Sequence, residues 1–186
     1  MTVGGILGRR PIRFAIAIAE PVIVTLVVFA LLQTFVGRTF AVEQTSMEPT
    51  LEPQQRLLVD RLTPRFDPYK AGDIIVFDAP PNASKQAPLI KRVIAIEGSI
   101  VEIIDGRVLV DGVVLDEPYT FGGEGTQPAS GMTRWEVPPG HLFVLGDHRA
   151  LSADSRSFGP IETSSVIGRA WLRFFPFEDA AVLTGG

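Results

Sequence analysis

The sequence predicts a mainly β protein with a single N-terminal transmembrane helix, and three observations lead to this fold class. One long apolar segment occupies residues 14–36. Short runs rich in β-branched residues follow it, separated by glycine and proline. No long amphipathic helical pattern occurs after residue 40. The chain therefore divides into a short N-terminus at residues 1–13, an anchor at residues 14–36 and a β-rich domain at residues 37–186.

The apolar segment is long enough to cross a membrane as a helix. At about 1.5 Å per residue it reaches roughly 35 Å, which exceeds a hydrocarbon core of about 30 Å. Three arginines precede the segment and one follows it closely, namely Arg9, Arg10, Arg13 and Arg38. The positive-inside rule predicts a cytoplasmic N-terminus and an extracytoplasmic β-rich domain. A cleavable signal peptide is the alternative, but the apolar run is long and no clear small-x-small site follows it.

The β-rich domain shows a series of short strand patterns. Strands are predicted at Leu57–Leu62, Asp73–Phe77, Ile90–Ile96, Ile100–Ile104, Arg107–Val110, Val113–Leu115, His141–Leu145 and Val166–Phe174. Asp105-Gly106 between two apolar runs predicts a hairpin, because glycine tolerates the positive φ of a tight turn. The polar, glycine-containing stretch at residues 116–137 predicts one long loop or a small insertion.

Composition excludes several classes of function. The formal net charge is -4, so no basic face for nucleic acid is expected. Cysteine is absent, which removes disulfides, a thiolate nucleophile and cysteine metal sites. His141 and His148 are the two histidines, and their spacing does not match a helical zinc motif. We therefore predict no metal and no cofactor.

Ser46 and Lys91 are the candidate nucleophile and base. Ser46 follows the apolar segment by about ten residues, and its hydroxyl needs a proton acceptor to act as a nucleophile. Lys91 lies in a predicted strand, where alternation places it on an apolar face with Leu89 and Val93. Burial there would lower the pKa of the amine and leave more of it neutral. The alternative is a lysine that extends from a sheet edge to water.

The third informative segment runs from Gly146 to Gly159 and is rich in charge. It follows a predicted strand, and ordering such a loop requires internal hydrogen bonds and ion pairs. Asp154 is expected to pair with Arg156 or Arg149. A solvated, charged turn is the alternative interpretation of this loop taken alone.

Together these segments resemble the bacterial type I signal peptidases, the membrane-anchored serine proteases that remove signal peptides from exported proteins. The resemblance rests on the anchor and on three motifs, which are Ser46-Met47-x-Pro-Thr-Leu, Lys91-Arg92-Val93-Ile94 and Gly146-Asp-x-Arg-x-x-Ser-x-Asp-Ser-Arg156. In order and spacing it covers most of the chain. It implies an all-β catalytic domain at residues 37–186 that acts on preproteins at the cytoplasmic membrane of a bacterium.

The resemblance also implies roles for individual residues. Ser46 matches the nucleophile, and its backbone N–H would donate to the oxyanion. Lys91 matches the general base, and Ser152 matches the serine that hydrogen-bonds and orients this lysine. Asp154 and Arg156 match residues that support the site.

Some positions depart from the family pattern. Gln44 stands where many relatives have a serine or glycine, so the second oxyanion donor stays unassigned. Gln44 and Met47 are also candidates for the wall of the substrate pocket. His148 stands where asparagine is common, and a histidine triad remains an alternative, although extended neighbours such as Asp147 and His148 would face opposite ways.

Two rival functions stay open at this stage. One is a related Ser/Lys peptidase that cuts itself or a dedicated partner, and the other is an inactive membrane-tethered β-domain that binds exported chains. The intact Ser46, Lys91 and Ser152 favour an active enzyme. The expected partners are signal-peptide-bearing preproteins and the lipid bilayer, without nucleic acid.

Overall fold

A computed structural model describes residues 19–28, 37–83, 87–123, 125–129 and 131–183. The chain separates into two compact units, residues 1–37 and 38–186. In the first unit, residues 19–28 are helical. The remainder of the predicted anchor and the predicted cytoplasmic N-terminus lie outside the described residues. Within the described ranges, no helix combines the length and apolar character needed to cross a bilayer.

The second unit is built from β-strands, which confirms the predicted mainly β class. The strands are β1 Gly37–Ala41, β2 Arg56–Asp60, β3 Ile74–Phe77, β4 Leu89–Ile96, β5 Ile100–Ile104, β6 Arg107–Val110, β7 Val113–Val114, β8 Arg134–Glu136, β9 His141–Leu145, β10 Ile161–Glu162, β11 Val166–Phe175 and β12 Ala181–Val182. One four-residue α-helix, Ser155–Phe158, and short 3-10 turns connect them in the described ranges. All the strands predicted from sequence are present, with ends shifted by two residues or fewer.

Two sheets make up the unit. The larger has the order β1-β2-β11-β3-β4-β9-β10, with β12 beside β11, and the smaller has the order β7-β6-β5-β8. The strand pairs from β2 to β10 in the large sheet, the β11–β12 pair and the pairs of the small sheet are antiparallel. The predicted hairpin at Asp105-Gly106 joins β5 to β6, with Asp105 at φ 50° and Gly106 at φ 76°. The small sheet includes β8, which lies inside the stretch predicted as a loop or insertion.

The apolar side chains form the core that holds the two sheets together. One cluster joins β4 and β9 of the large sheet to the small sheet, through residues such as Ile94, Phe143 and Trp135. A second cluster includes Met47 and Leu51, which belong to the segment that carries Ser46. Packing on this scale fixes the backbone from which the polar site residues project.

Strand β4 has the position that matters most for the site. It is hydrogen-bonded on both sides, to β3 and to β9, so it is an interior strand of the large sheet. Lys91 pairs with Ile75 of β3, and Arg92 pairs with Leu145, the last residue of β9. The loop that follows Leu145 therefore begins directly beside the lysine.

Candidate active site

Ser46 and Lys91 meet, although they are far apart in the sequence. The Nζ atom of Lys91 lies 2.6 Å from Oγ of Ser46, a hydrogen-bond distance. Ser46 is in a turn that follows β1, and the N–H of Leu51 closes that turn by donating to the carbonyl of Met47 at 2.8 Å. The geometry matches a hydroxyl with a proton acceptor in place.

Lys91 is fully buried, which changes its acid–base chemistry. Its exposed fraction is 0%, and Nζ also lies 3.0 Å from the carbonyl oxygen of Ile90. Burial lowers the pKa of Lys91 from its ordinary 10.5 to about 8, while the carboxylates of Asp154 and Asp147 act in the opposite direction. Burial is the largest of these effects. A neutral amine is therefore accessible near physiological pH, as a general base requires.

The residue next to the lysine belongs to a buried ion pair. Arg92 donates from two nitrogens to both carboxylate oxygens of Asp147, at 2.9 and 2.7 Å, and also to the carbonyl of Gly72. The ring of Tyr119 lies over its guanidinium at 3.9 Å. Bidentate pairs of this kind fix the relative position of two chain segments. Here the pair ties β4 to the loop that starts at Gly146.

That loop is ordered by a second set of charged contacts. Asp154 accepts from the N–H of Gly146 at 3.1 Å and caps the helix Ser155–Phe158 through the N–H of Arg156. The side chain of Arg156 makes a bidentate pair with the same carboxylate, at 2.8 Å for each bond. Of the two partners predicted for Asp154, the structure selects Arg156. Arg149 instead contacts Glu117 and Thr126.

Ser152 lies in the site without the hydrogen bond to Lys91 that the family resemblance implies. Its side chain lies against Gly146, close to the carbonyl of Ser46, since a Cβ placed on Gly146 would meet both groups. Among the described residues, this buried hydroxyl has no hydrogen-bond partner. The structure therefore brings Ser152 beside Ser46 without forming a bond to Lys91.

Two cavities open on either side of Ser46. The first, about 280 Å³, is lined by residues 39–44 in and after β1, by Ser46 and Met47, and by Ala87, Pro88 and Ile90 around the start of β4. The second, about 340 Å³, is more polar and includes Leu151 and Ala153. Ser46 and Gln44 line both cavities, and Gln44 is half-buried. Ser46 is therefore reachable from both cavities.

Several residues that shape the site were not singled out from the sequence. Arg92 and Asp147 carry a weak signal, because each adjoins a candidate site residue. Glu117 carries none, since its arginine partner lies 32 positions away. Glu48 faces Nδ1 of His148 at 3.4 Å, a contact that the separate sequence motifs do not reveal.

No grouping of three histidine or carboxylate side chains suited to a metal is present in the described part of the chain.

A serine hydroxyl against a buried lysine amine, on a β-sheet domain, is typical of hydrolases in which an amine replaces histidine as the base. The family described as signal peptidase, peptidase S26, matches residues 15–175. The chain belongs to this family.

The chain is similar to individual proteins over much of its length. The signal peptidase I of Bacillus caldolyticus is 36% identical over 173 residues, which cover 87% of this chain and 92% of the relative. The probable signal peptidase I-1 of Synechocystis sp. is 39% identical over 158 residues, which cover 82% and 79%. A crystal structure of a signal peptidase I from Enterococcus faecalis V583 is 34% identical and covers 54% of this chain and 95% of its own, with a TM-score of 0.44.

Proposed function

We propose that this protein is a membrane-bound serine endopeptidase that removes N-terminal signal peptides from exported preproteins, with Ser46 and Lys91 as a catalytic dyad. The observation that carries the proposal is the 2.6 Å contact between a buried lysine and the serine of a family motif. The names of the relatives support the substrate class, since they are signal peptidases I.

The reaction follows from the geometry. Neutral Lys91 takes the proton of the Ser46 hydroxyl as its Oγ attacks the scissile carbonyl, and the protonated amine then donates to the leaving amino group. The bond to the leaving amine breaks and an acyl-enzyme on Ser46 remains. Lys91, neutral again, activates a water that hydrolyses this ester. One water is consumed, and a signal peptide and a mature protein leave.

The tetrahedral intermediate carries a negative oxygen that needs donors. In the proposed site the backbone N–H of Ser46 is one donor. We assign the second to the side-chain amide of Gln44, because this half-buried residue lines both cavities beside Ser46. Met47 forms part of the pocket wall. The remaining residues, Ser152, Asp154 and Arg156, belong to the loop after β9 and support the site.

The proposal includes a single-pass location in the bacterial cytoplasmic membrane. Residues 14–36 are the anchor, residues 1–13 are cytoplasmic and residues 37–186 form the extracytoplasmic peptidase domain with a small insertion near 116–137. Exposed aromatic side chains support a second contact with lipid, since Trp171 and Phe177 are 49% and 78% exposed and aromatic rings favour the bilayer interface.

A cleavage assay tests the proposal. The purified full chain in detergent should cut a preprotein once, after a small-x-small sequence, and Ser46→Ala should lower kcat at least about a thousandfold, because the covalent step is lost. Ser164→Ala is the matched control, since this exposed serine bonds to Glu162, lies outside the two cavities and should retain activity. Wild-type protein that cuts only itself would favour the self-processing alternative, and protein that cuts nothing would favour the inactive binding domain.

The pH dependence tests the base separately. Because the neutral amine is the active form and burial places the pKa of Lys91 at about 8, kcat/KM should rise with pH through an acidic limb centred near 8 and then level off. Initial rates on a fluorogenic preprotein peptide from pH 6 to 10 give this midpoint. A limb centred near 10.5 would mean that the catalytic amine is not the buried one.

A further inference from the structure

The side chain of His148 connects three parts of the active-site region. Its ring is stacked on Phe121, with centroids 4.2 Å apart and planes 12° from parallel. Its Nδ1 atom faces a carboxylate oxygen of Glu48 at 3.4 Å. Its backbone N–H donates to the carbonyl of Ser46 at 3.1 Å. One residue thus contacts the loop of Phe121, the side chain of Glu48 and the backbone carbonyl of the nucleophile.

The bond to the Ser46 carbonyl is the contact with a chemical consequence. The carbonyl belongs to the peptide unit that follows Ser46, so a donor to this oxygen restrains ψ of Ser46 and thereby the direction of the Cα–Cβ bond from which Oγ projects. Lys91 reaches Oγ at 2.6 Å, which leaves little tolerance for a shift of the serine. A donor that fixes this peptide plane therefore fixes the serine relative to its base.

The side chain of His148 keeps that donor in place. The ring is buried between Phe121 and Glu48, with 7% of the residue exposed. The N–H of Phe121 donates to the carbonyl of Asp147 at 3.1 Å, so the stacked loop also holds the backbone one residue before His148. Among the described residues, Nδ1 makes no hydrogen bond, which leaves the Glu48 carboxylate as its polar neighbour.

His148 does not line either of the two cavities beside Ser46. The residues that line the two cavities beside Ser46 include neither His148, nor Glu48, nor Phe121. A change at His148 should therefore act on the rate of the chemical step and not on substrate binding. This separates a positioning residue from one that forms a pocket.

We propose that His148, held by Phe121 and Glu48, is a positioning residue that aims Ser46 at Lys91. This inference rests on the proposed peptidase function and adds a residue to it. It assigns no proton transfer to His148, because its ring faces Glu48 while Lys91 occupies the position beside Oγ of Ser46.

Kinetics of four single variants and one double variant test the inference. His148→Ala should lower kcat roughly tenfold to a hundredfold with KM changed by less than about twofold, since a shift of about 1 Å at a reacting group costs this much. His148→Phe retains a ring to stack on Phe121 and should recover part of the loss. Glu48→Gln should lower kcat by itself and add little in combination with His148→Ala, because coupled residues act non-additively. His141→Ala is the matched control and should leave both constants unchanged.

The outcomes separate this inference from the proposed function. Suppose that the wild type cleaves a preprotein and that His148→Ala keeps the wild-type kcat or changes only KM. This result would overturn the positioning role of His148 and leave the dyad intact. Equal losses in His141→Ala would also overturn it. If the wild-type protein cleaved no preprotein, the proposed function itself would be wrong.

Proton NMR tests the stacking of His148 without measuring activity. The ring signals of His148 should be shifted upfield by stacking and should move back in Phe121→Leu. Unshifted signals in the wild type would contradict the stack.

Discussion

Replacing Lys91 with methionine is expected to abolish peptidase activity and, at the same time, to raise the free energy of unfolding near neutral pH. Burial lowers the pKa of Lys91 from 10.5 to about 8 in the folded protein. The unfolded chain holds the amine at its ordinary pKa. Below pH 8 the folded protein therefore contains a poorly solvated charge, at a cost on the order of 3 kcal/mol. Methionine is of similar length and uncharged, so the variant avoids this cost.

The stabilisation should depend on pH in a defined direction. Between about pH 8 and 10.5 the unfolded wild-type chain binds more protons than the folded one, so the wild type gains stability as pH rises. The advantage of Lys91→Met should be complete below pH 8 and decline toward pH 10.5. Urea unfolding of the full chain in detergent at pH 7 and pH 10 measures both ends of this range.

A surface lysine supplies the comparison for this experiment. The side chain of Lys70 is 67% exposed and pairs with Asp67, so Lys70→Met should change stability little and leave activity intact. An advantage for Lys91→Met that is the same at both pH values would contradict the burial argument. Retained peptidase activity would remove Lys91 from the dyad.

The conflict between stability and activity at Lys91 follows from its strand. An interior strand of a sheet is a poor place for a charge, because the surrounding apolar groups cannot replace water. The same surroundings keep much of the amine neutral and able to accept a proton. The strand pattern around Lys91 already predicts this apolar face. The partner Ser46 and the 2.6 Å contact depend on how β1 and β4 are arranged, which local pattern does not specify.

Some strands can be predicted from the sequence and others cannot. Strands such as β4 and β9 carry a run of β-branched and aromatic residues that shows the fold class directly. The strands that the sequence analysis missed are β1, β8, β10 and β12. The last three have two or three residues each, too few to show a period of two. Strand β1 mixes glycine, arginine and threonine, so its pairing with β2 comes from tertiary contacts.

The charged contacts of the site can also be predicted only in part from the sequence. Asp154 and Arg156 are two residues apart, so their pairing follows from loop chemistry. Arg149 and Glu117 come from separate segments, and only the folded chain brings them together. Local motifs thus predict which residues are present at the site, whereas long-range packing decides which of them touch. Ser152 illustrates this, since its motif implies a contact with Lys91 and the structure places its hydroxyl beside Gly146.

Replacing Gly146 with alanine is expected to inactivate the enzyme through a single methyl group. The added Cβ would lie 2.5 Å from the carbonyl oxygen of Ser46 and closer still to the hydroxyl of Ser152. Both groups must move, and a displacement of about 1 Å at the nucleophile lowers kcat by roughly a hundredfold. The clash should also destabilise the fold by about 1 to 3 kcal/mol. Preprotein cleavage and urea unfolding of the same sample separate these two effects.

Gly168→Ala is the matched control for this experiment, because its methyl group meets a comparable obstacle in another part of the sheet. The added Cβ would collide with the carbonyl oxygen of Asp60 and with Val59 of β2, and not with the loop after β9. This variant should lose a similar amount of stability, yet its folded fraction should cleave at the wild-type kcat. If both glycine variants lost kcat equally, general destabilisation would explain the effect. A loss of kcat confined to Gly146→Ala would show that the space beside Gly146, next to Ser152 and the Ser46 carbonyl, must stay free for the nucleophile to meet Lys91.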